Sequence, residues 1–142
     1  MSKIIWITGA GTGIGKALAL AYNEKGNTII LSGRKEDQLN EVATLLSNAY
    51  VLPLDVVNEE AITQAVAEVT AKFGRVDVLI NNAGVSQRAL VTETSNDVGR
   101  QLMEVNFFGS VHLTKAVLPL MLKTGTGNIV GMSSAAGKFG FP

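Results

Sequence analysis

Cysteine is absent from the 142 residues, and histidine occurs only once, as His112. Without cysteine the chain has no disulfide framework, no thiolate nucleophile and no thiolate-bound zinc. A single histidine also excludes a metal site built from several imidazoles. We therefore predict no metal centre.

An excess of one charge and a long apolar run are lacking as well. Twelve basic and twelve acidic residues give a formal net charge of zero, without the basic stripe of a nucleic-acid-binding surface. The apolar run at 4–7 is too short for a signal peptide, and no run approaches the roughly 18 residues of a membrane span. We expect a cytoplasmic protein with neither nucleic acid nor membrane as a partner.

The composition is that of a folded chain, because 46% of the residues are hydrophobic and 17% are charged. Short β-branched runs alternate with amphipathic segments of helical length. Strands are predicted at 4–8, 28–32, 50–54, 76–80 and 128–132, and helices at 16–25, 35–48, 58–73 and 96–123, the last broken or kinked near Pro119.

Apolar strands separated by helices indicate a parallel sheet that is covered on both faces. Right-handed crossovers make such a sheet doubly wound, so we predict an α/β, Rossmann-like fold with residues 1–142 as one domain. The dinucleotide-binding plan normally has six strands, and only five are predicted here. The strand at 128–132 would then be an edge with one uncovered flank, and we expect the domain to be truncated there.

A glycine-rich segment, TGAGTGIG at 8–15, lies between the first strand and the first helix. The P-loop pattern fails at Ala10 and Ala17, and the G-x-G-x-x-G pattern fails at its last glycine. The pattern G-x-x-x-G-x-G remains. We predict that the loop binds a dinucleotide pyrophosphate at the helix N-terminus; the alternative is a turn without a ligand. The predicted contact residues are Gly9, Gly11, Thr12, Gly13, Ile14 and Gly15.

The end of the second strand predicts which form of the cofactor binds. Proteins that bind NAD usually place an acid there for the ribose 2′-hydroxyl, but here the residues are Gly33, Arg34 and Lys35. A guanidinium suits a 2′-phosphate. We predict NADP(H), with Arg34 as the main contact and Lys35 as the secondary one; the alternative is a solvated pair of charges at the start of a helix.

Further motifs follow in a fixed order: Asp55-Val56 at the end of the third strand, N-N-A-G at 81–84, Asn106 in the long helix and Ser134 after the last strand. With the glycine loop, they make the chain resemble the short-chain dehydrogenase/reductase family. The resemblance implies an oxidoreductase that transfers a hydride between NADP(H) and a carbonyl or alcohol substrate.

The resemblance also implies how five of these residues hold the cofactor. Asp55 would accept a hydrogen bond from the adenine amino group, and Val56 would pack on the ring. Asn82, Ala83 and Gly84 would line the cofactor ribose. An alternative for Asn82 is that it ties two strands together.

Asn106 and Ser134 are the two residues to which the resemblance assigns catalysis. Asn106 would hold a water in a proton relay, and Ser134 would donate to the substrate oxygen while negative charge grows there. Each residue has an alternative: Asn106 is also typical of a back-bonded helix amide, and Ser134 of a strand-end cap.

The general acid of the family, a tyrosine in Tyr-x-x-x-Lys, is missing from these residues. At that spacing Tyr22 leads to Gly26 and Tyr50 leads to Leu54. A positioned general acid contributes about 10²–10⁴-fold. We expect the chain to be the N-terminal part of a longer enzyme and to be weak or inactive as it stands; the alternative is a non-catalytic nucleotide-binding or scaffold module.

Residues 105–122 carry apolar side chains on more than one helical face. One face covers the sheet, and the rest needs another surface. Because related enzymes pair through this helix, the resemblance implies a homo-oligomer.

Overall fold

The computed structural model describes residues 2–139, in which five parallel strands form one sheet in the order β3-β2-β1-β4-β5. The strands are β1 (Ile4–Thr8), β2 (Thr28–Ser32), β3 (Ala49–Val51), β4 (Val78–Asn81) and β5 (Asn128–Gly131). The helices are α1 (Gly13–Asn23), α2 (Glu36–Ala43), α3 (Glu59–Phe73), α4 (Asn96–Met103) and α5 (Gly109–Thr124), with a π-helical turn at Glu104–Phe108 and 3₁₀ turns at Val91–Glu93 and Ala135–Gly137.

The two faces of β1 belong to two separate hydrophobic cores. Trp6 packs with Val69 of α3 and Val117 of α5 on one face. Ile7 packs with Leu39 of α2 on the other face. Since β1 is central and pairs with both β2 and β4, the chain winds outward in both directions, and the predicted doubly wound α/β fold is confirmed.

Helix α3 begins and ends where the sequence predicts. The Asn58 side-chain oxygen accepts a hydrogen bond from the Ala61 N–H at 3.0 Å, which satisfies one of the free N–H groups of the first turn. Gly74 ends the helix in the left-handed region at φ 68°, where glycine has no steric penalty.

The segment between β2 and α3 differs from the prediction in two places. Helix α2 ends at Ala43 instead of residue 48, and Leu45, which lies beyond its end, is 57% exposed. The N–H groups of Leu45 and Leu46 bond to carbonyls three residues back, so the α-helical pattern has already tightened there. The early end brings the chain into β3, which pairs only over Ala49–Val51.

The predicted long helix is one continuous helical stretch, but its irregular turn lies elsewhere than predicted. At 104–108 the hydrogen bonding is π-helical, with the Gly109 N–H bonded to the Glu104 carbonyl. Helix α5 continues through Pro119 to Thr124, so of the two predicted outcomes at the proline a break is wrong, and a kink stays a prediction. A π-turn adds one residue to a turn, which residue type alone does not reveal.

The stretch Asn96–Thr124 is long and apolar enough, by length and composition, to cross a bilayer, with a mean hydropathy of 1.3 over its best window. Helices in the core of a folded domain can have the same length and hydropathy. Here Leu113, Val117 and Leu120 belong to the core on one face of the sheet. The sequence predicts no apolar run of that length, and this helical stretch differs from the prediction by length and mean hydropathy.

Strand β5 forms the edge of the sheet next to β4, as predicted. All four of its residues are exposed, and Ile129 and Val130 are 42% and 39% accessible. An apolar edge strand with uncovered faces needs a further covering element or partner.

Candidate active site

A cleft opens at the carboxyl edge of the sheet, where β1, β2, β3 and β4 end. This is the side of a doubly wound sheet, next to the reversal of strand order, where ligands bind. The cleft is lined by Thr8, Gly9, Gly11, Thr12, Gly33, Arg34, Lys35, Gln38, Leu39, Leu54, Asp55, Val56, Ala83, Gly84, Val85 and Val105. Ten of the sixteen predicted site residues are therefore brought together along one cleft.

The glycine loop needs glycine for two different reasons. Gly9 and Gly13 have φ values of 63° and 53°, in the left-handed region that side chains disfavour. At Gly15 a Cβ atom would lie 2.1 Å from the Gly9 carbonyl oxygen and 2.7 Å from Asn82 Nδ2. The loop is thus folded back tightly on the first turn of α1.

The N-terminus of α1 has free donors at the rim of this loop. Its N-cap, Thr12, makes no side-chain cap hydrogen bond, and within residues 2–139 the N–H groups of Gly13 and Ile14 have no hydrogen-bond partner. Apart from its chain neighbours and the backbone of α1 itself, no atom of residues 2–139 lies within 4 Å of where a Cβ on Gly13 would stand. Free N–H groups, the positive end of the helix dipole and open space together suit a phosphate.

Thr8 and Asn82 tie the loop to β4. The Thr8 hydroxyl oxygen accepts hydrogen bonds from the N–H groups of Asn82 and Ala83 at 3.0 and 2.9 Å. Asn82 Nδ2 in turn donates to the carbonyl oxygens of Thr8 and Gly9 at 3.0 and 3.3 Å. Gly15 and Asn82 therefore lie behind the loop and hold its shape, and neither lines the cleft.

The end of β2 places two cations on the cleft. Arg34 and Lys35 are both exposed and both line it. In the part of the chain that the structure describes, neither side chain takes part in an ion pair or a hydrogen bond. Two exposed positive charges on the lining of the cleft favour an anionic ligand.

Asp55 and Val56 follow β3 in the chain, and both line the cleft. One carboxylate oxygen of Asp55 accepts from the Val57 N–H at 3.2 Å, which fixes the turn and leaves the second oxygen without a partner among the described residues. Val56 is 7% exposed and lies so close to α5 that a Cβ on Gly109 would be 2.6 Å from its Cγ2. This part of the cleft therefore consists of the apolar Val56 side chain beside a carboxylate oxygen of Asp55 that can accept a hydrogen bond.

Asn106 lies in the π-turn and holds the loop that follows β4. Its Oδ1 accepts from the Val85 N–H at 2.8 Å, and its Nδ2 donates to the Val85 carbonyl oxygen at 2.9 Å. Gly84 passes so close that a Cβ there would lie 3.3 Å from Asn106 Oδ1. The amide is thus engaged with backbone, and its part in a proton relay stays a prediction.

Ser134 lies beyond β5, and not within a strand. Its Oγ accepts from the Ala136 N–H at 3.2 Å and caps the 3₁₀ turn. A hydroxyl that accepts one hydrogen bond still has its proton to donate. Ser134 and Asn106 do not line the cleft, so the structure does not bring the two predicted catalytic residues to it.

Sequence reasoning missed six lining residues: Thr8, Gln38, Leu39, Leu54, Val85 and Val105. For two of these the sequence contained a signal, because Gln38 and Leu39 stand three and four residues after Lys35, where the sequence predicts a helix to begin. The other positions depend on how distant strands meet. In residues 2–139 no cluster of three or more metal-ligating side chains is present.

A parallel sheet whose glycine loop meets a helix N-terminus, beside a cleft reaching the second strand, defines the Rossmann-like class of dinucleotide-binding proteins. Comparison with known proteins narrows this class, because the family described as short chain dehydrogenase matches residues 3–142. The chain belongs to the short-chain dehydrogenase family of oxidoreductases.

Curated relatives share the whole length of this chain. A dehydrogenase/reductase SDR family protein 7-like of Drosophila melanogaster is 44% identical over 148 residues, covering 99% of this chain and 45% of the relative. The human dehydrogenase/reductase SDR family member 7 is 40% identical over 147 residues, covering 98% of this chain and 43% of the relative. The chain thus spans a little under half the length of these two relatives.

Solved structures show the same fold. A short-chain dehydrogenase from Streptomyces avermitilis superposes with a TM-score of 0.91 at 40% identity, over 99% of this chain and 51% of its own. ElxO, whose structure has NADP bound, superposes with a TM-score of 0.91 at 35% identity, over 100% of this chain and 59% of its own.

Proposed function

We propose that this chain is the cofactor-binding part of an NADP(H)-dependent oxidoreductase that interconverts a carbonyl and an alcohol. The observation that carries the proposal is the pair Arg34 and Lys35, which line the cleft and have no counter-ion among residues 2–139, at the strand end where an NAD-binding protein usually has an acid. The NADP bound in the similar structure of ElxO supports it.

The residues present fit an NADP(H) molecule along the cleft. The N–H groups at the start of α1 would bind the pyrophosphate, and Arg34 would pair with the 2′-phosphate while Lys35 adds charge. Asp55 would accept from the adenine amino group, and Val56 would provide an apolar contact for the ring. When bound, the nicotinamide would supply or accept the hydride.

The remaining chemistry falls to the residues after β4. Backbone at Ala83 and Gly84 would lie along the ribose, because glycine leaves room for a close approach. Ser134, whose hydroxyl keeps a free proton in its capping geometry, would donate to the substrate oxygen as charge develops there. No Tyr-x-x-x-Lys occurs in the 142 residues, so we expect the isolated chain to bind cofactor but to turn over slowly or not at all.

Calorimetric titration with NADPH and NADH tests the cofactor assignment. We expect NADPH to bind more tightly, and Arg34→Ala to weaken NADPH by roughly 10- to 150-fold, corresponding to about 1.5–3 kcal/mol for a charge-assisted hydrogen bond, with NADH nearly unchanged. Arg100→Ala, an exposed arginine on α4, is the matched control. Equal affinity of the wild-type chain for the two cofactors would falsify the assignment.

A non-catalytic nucleotide-binding module is the second candidate, favoured by the missing Tyr-x-x-x-Lys. The two functions differ in turnover. Full-length protein assayed with NADPH against aldehydes, ketones and quinones should oxidise NADPH with at least one class if it is an enzyme. Binding without any turnover across the panel would favour the module.

We also propose that the helical stretch 105–122 pairs two copies of the protein. Phe107, Leu118 and Leu122 are 51%, 39% and 71% exposed on it, an apolar surface that needs a partner. A monomeric sedimentation profile of the full-length protein would contradict this.

A further inference from the structure

Gln38 lies at the point where the glycine loop meets the end of β2. It is in the first turn of α2, and its side chain lines the cleft together with Arg34 and Lys35. A Cβ on Gly11 would stand 3.1 Å from Gln38 Cβ and 3.5 Å from Gln38 Oε1. Gly11 therefore leaves the space in which the Gln38 side chain lies, between the loop and the two cations.

Gln38 is also the neutral one of three consecutive polar residues. Glu36 and Asp37 precede it in the first turn, both exposed, and neither lines the cleft. The side chain that faces the cleft thus adds no negative charge beside Arg34.

The Gln38 carboxamide is free for a ligand. It occupies the third helical position after the N-cap, Lys35, where a glutamine typically bonds back to the N-cap N–H. That bond is not formed, and within residues 2–139 the carboxamide makes no hydrogen bond with another group. An amide has two N–H donors for phosphate oxygens, and it can accept from a hydroxyl.

We infer that Gln38 is a specificity-determining residue, whose carboxamide donates a hydrogen bond to the ribose 2′-phosphate beside Arg34. This inference rests on the proposed NADP(H) function. Since the side chain is neutral, it favours the phosphate without competing for the Arg34 guanidinium. A carboxylate at the same position would repel the phosphate, while a 2′-hydroxyl could still donate to it.

The test compares NADPH and NADH affinities of the folded chain and four variants by calorimetry, with circular dichroism to show folding. Gln38→Glu should lower the NADPH-to-NADH affinity ratio about tenfold or more. Gln38→Met, which keeps the shape and removes the donor, should lower it about threefold. Asn40→Asp makes the same change from amide to carboxylate on an exposed residue of α2 outside the cleft and should leave the ratio within twofold.

Arg34→Ala distinguishes a failure of the proposed NADP(H) function from a failure of the role inferred for Gln38. If the wild-type chain prefers NADPH, Arg34→Ala removes that preference, and Gln38→Glu behaves as Asn40→Asp, the inference about Gln38 is overturned and the proposed function stands. If the wild-type chain shows no preference for NADPH, the proposed function fails and the inference fails with it. A fall in the ratio with both Gln38→Glu and Gln38→Met, but not with Asn40→Asp, supports the inference. An unchanged ratio with Gln38→Met overturns it, because the carboxamide then donates nothing to the phosphate.

Discussion

Among the glycines of the loop, Gly15 is where adding a methyl group, as in Gly15→Ala, should disturb the loop most. A Cβ there would stand 2.1 Å from the Gly9 carbonyl oxygen and 2.7 Å from Asn82 Nδ2, against an ordinary contact of 3.4 Å or more. Neither neighbour can yield freely, because Gly9 is backbone in a left-handed turn and Asn82 is hydrogen-bonded to Thr8 and Gly9. Gly15→Ala must therefore push the loop away from β4.

The size of the effect follows from these contacts. Overpacking of a tight site costs about 1–3 kcal/mol, and losing the side-chain hydrogen bond to Gly9 adds about 0.5–1.5 kcal/mol. Alanine returns up to about 1 kcal/mol as a better helix former. We expect Gly15→Ala to lower the free energy of unfolding by about 0.5–4.5 kcal/mol and to weaken NADPH binding, since the loop N–H groups move.

The free energy of unfolding is measured in urea, with the fluorescence of Trp6, the single tryptophan, as the signal. The matched control is Gly99→Ala, because Gly99 lies inside α4 with no atom within 4 Å of its Cβ position. That variant should be more stable than wild type by about 0.5–1 kcal/mol. If the free energy of unfolding of Gly15→Ala lies within about 0.5 kcal/mol of the wild-type value, the loop accommodates a Cβ at little cost. The predicted clash is then wrong.

Two further predictions concern hydrogen bonds outside the cleft. The buried Ser32 hydroxyl accepts from Trp6 Nε1 at 2.8 Å and donates to the Leu52 carbonyl at 2.7 Å, so Ser32→Ala should cost about 2–3 kcal/mol of unfolding free energy in urea; a loss below about 0.5 kcal/mol would contradict this. A hydrogen bond from the Tyr50 hydroxyl to Glu68, with smaller contributions from burial and the Glu68 charge, raises the pKa of Tyr50 above its usual 10.0. Stability from this contact is therefore present below pH 10 and is lost as the pH rises through the higher folded pKa. Tyr50→Phe should remove the later phase of an ultraviolet tyrosinate titration, and an unchanged titration profile would count against the contact.

Much of the fold could be predicted because it rests on local patterns. Strands β1 and β2 begin and end at the predicted residues, since an unbroken apolar run between turn residues needs both faces buried. Asn58 and Gly74 bound α3 as predicted, because capping uses only neighbouring residues. The glycine spacing likewise indicated the loop, since left-handed φ values at Gly9 and Gly13 are a local need for glycine.

The sequence by itself thus determined the winding of the sheet, the position of the loop and the two cations at the end of β2. Only the tertiary structure decided which side chains meet. A Cβ on Gly15 would clash with the neighbouring Gly9 carbonyl and also with Asn82, 67 positions along the chain. Asn106 in the π-turn bonds to Val85 after β4, and Gln38 reaches the cleft because Gly11 has no side chain. These contacts join residues far apart in the chain, and no local preference for helix, strand or turn encodes the distance between two elements that pack only when the whole sheet has formed.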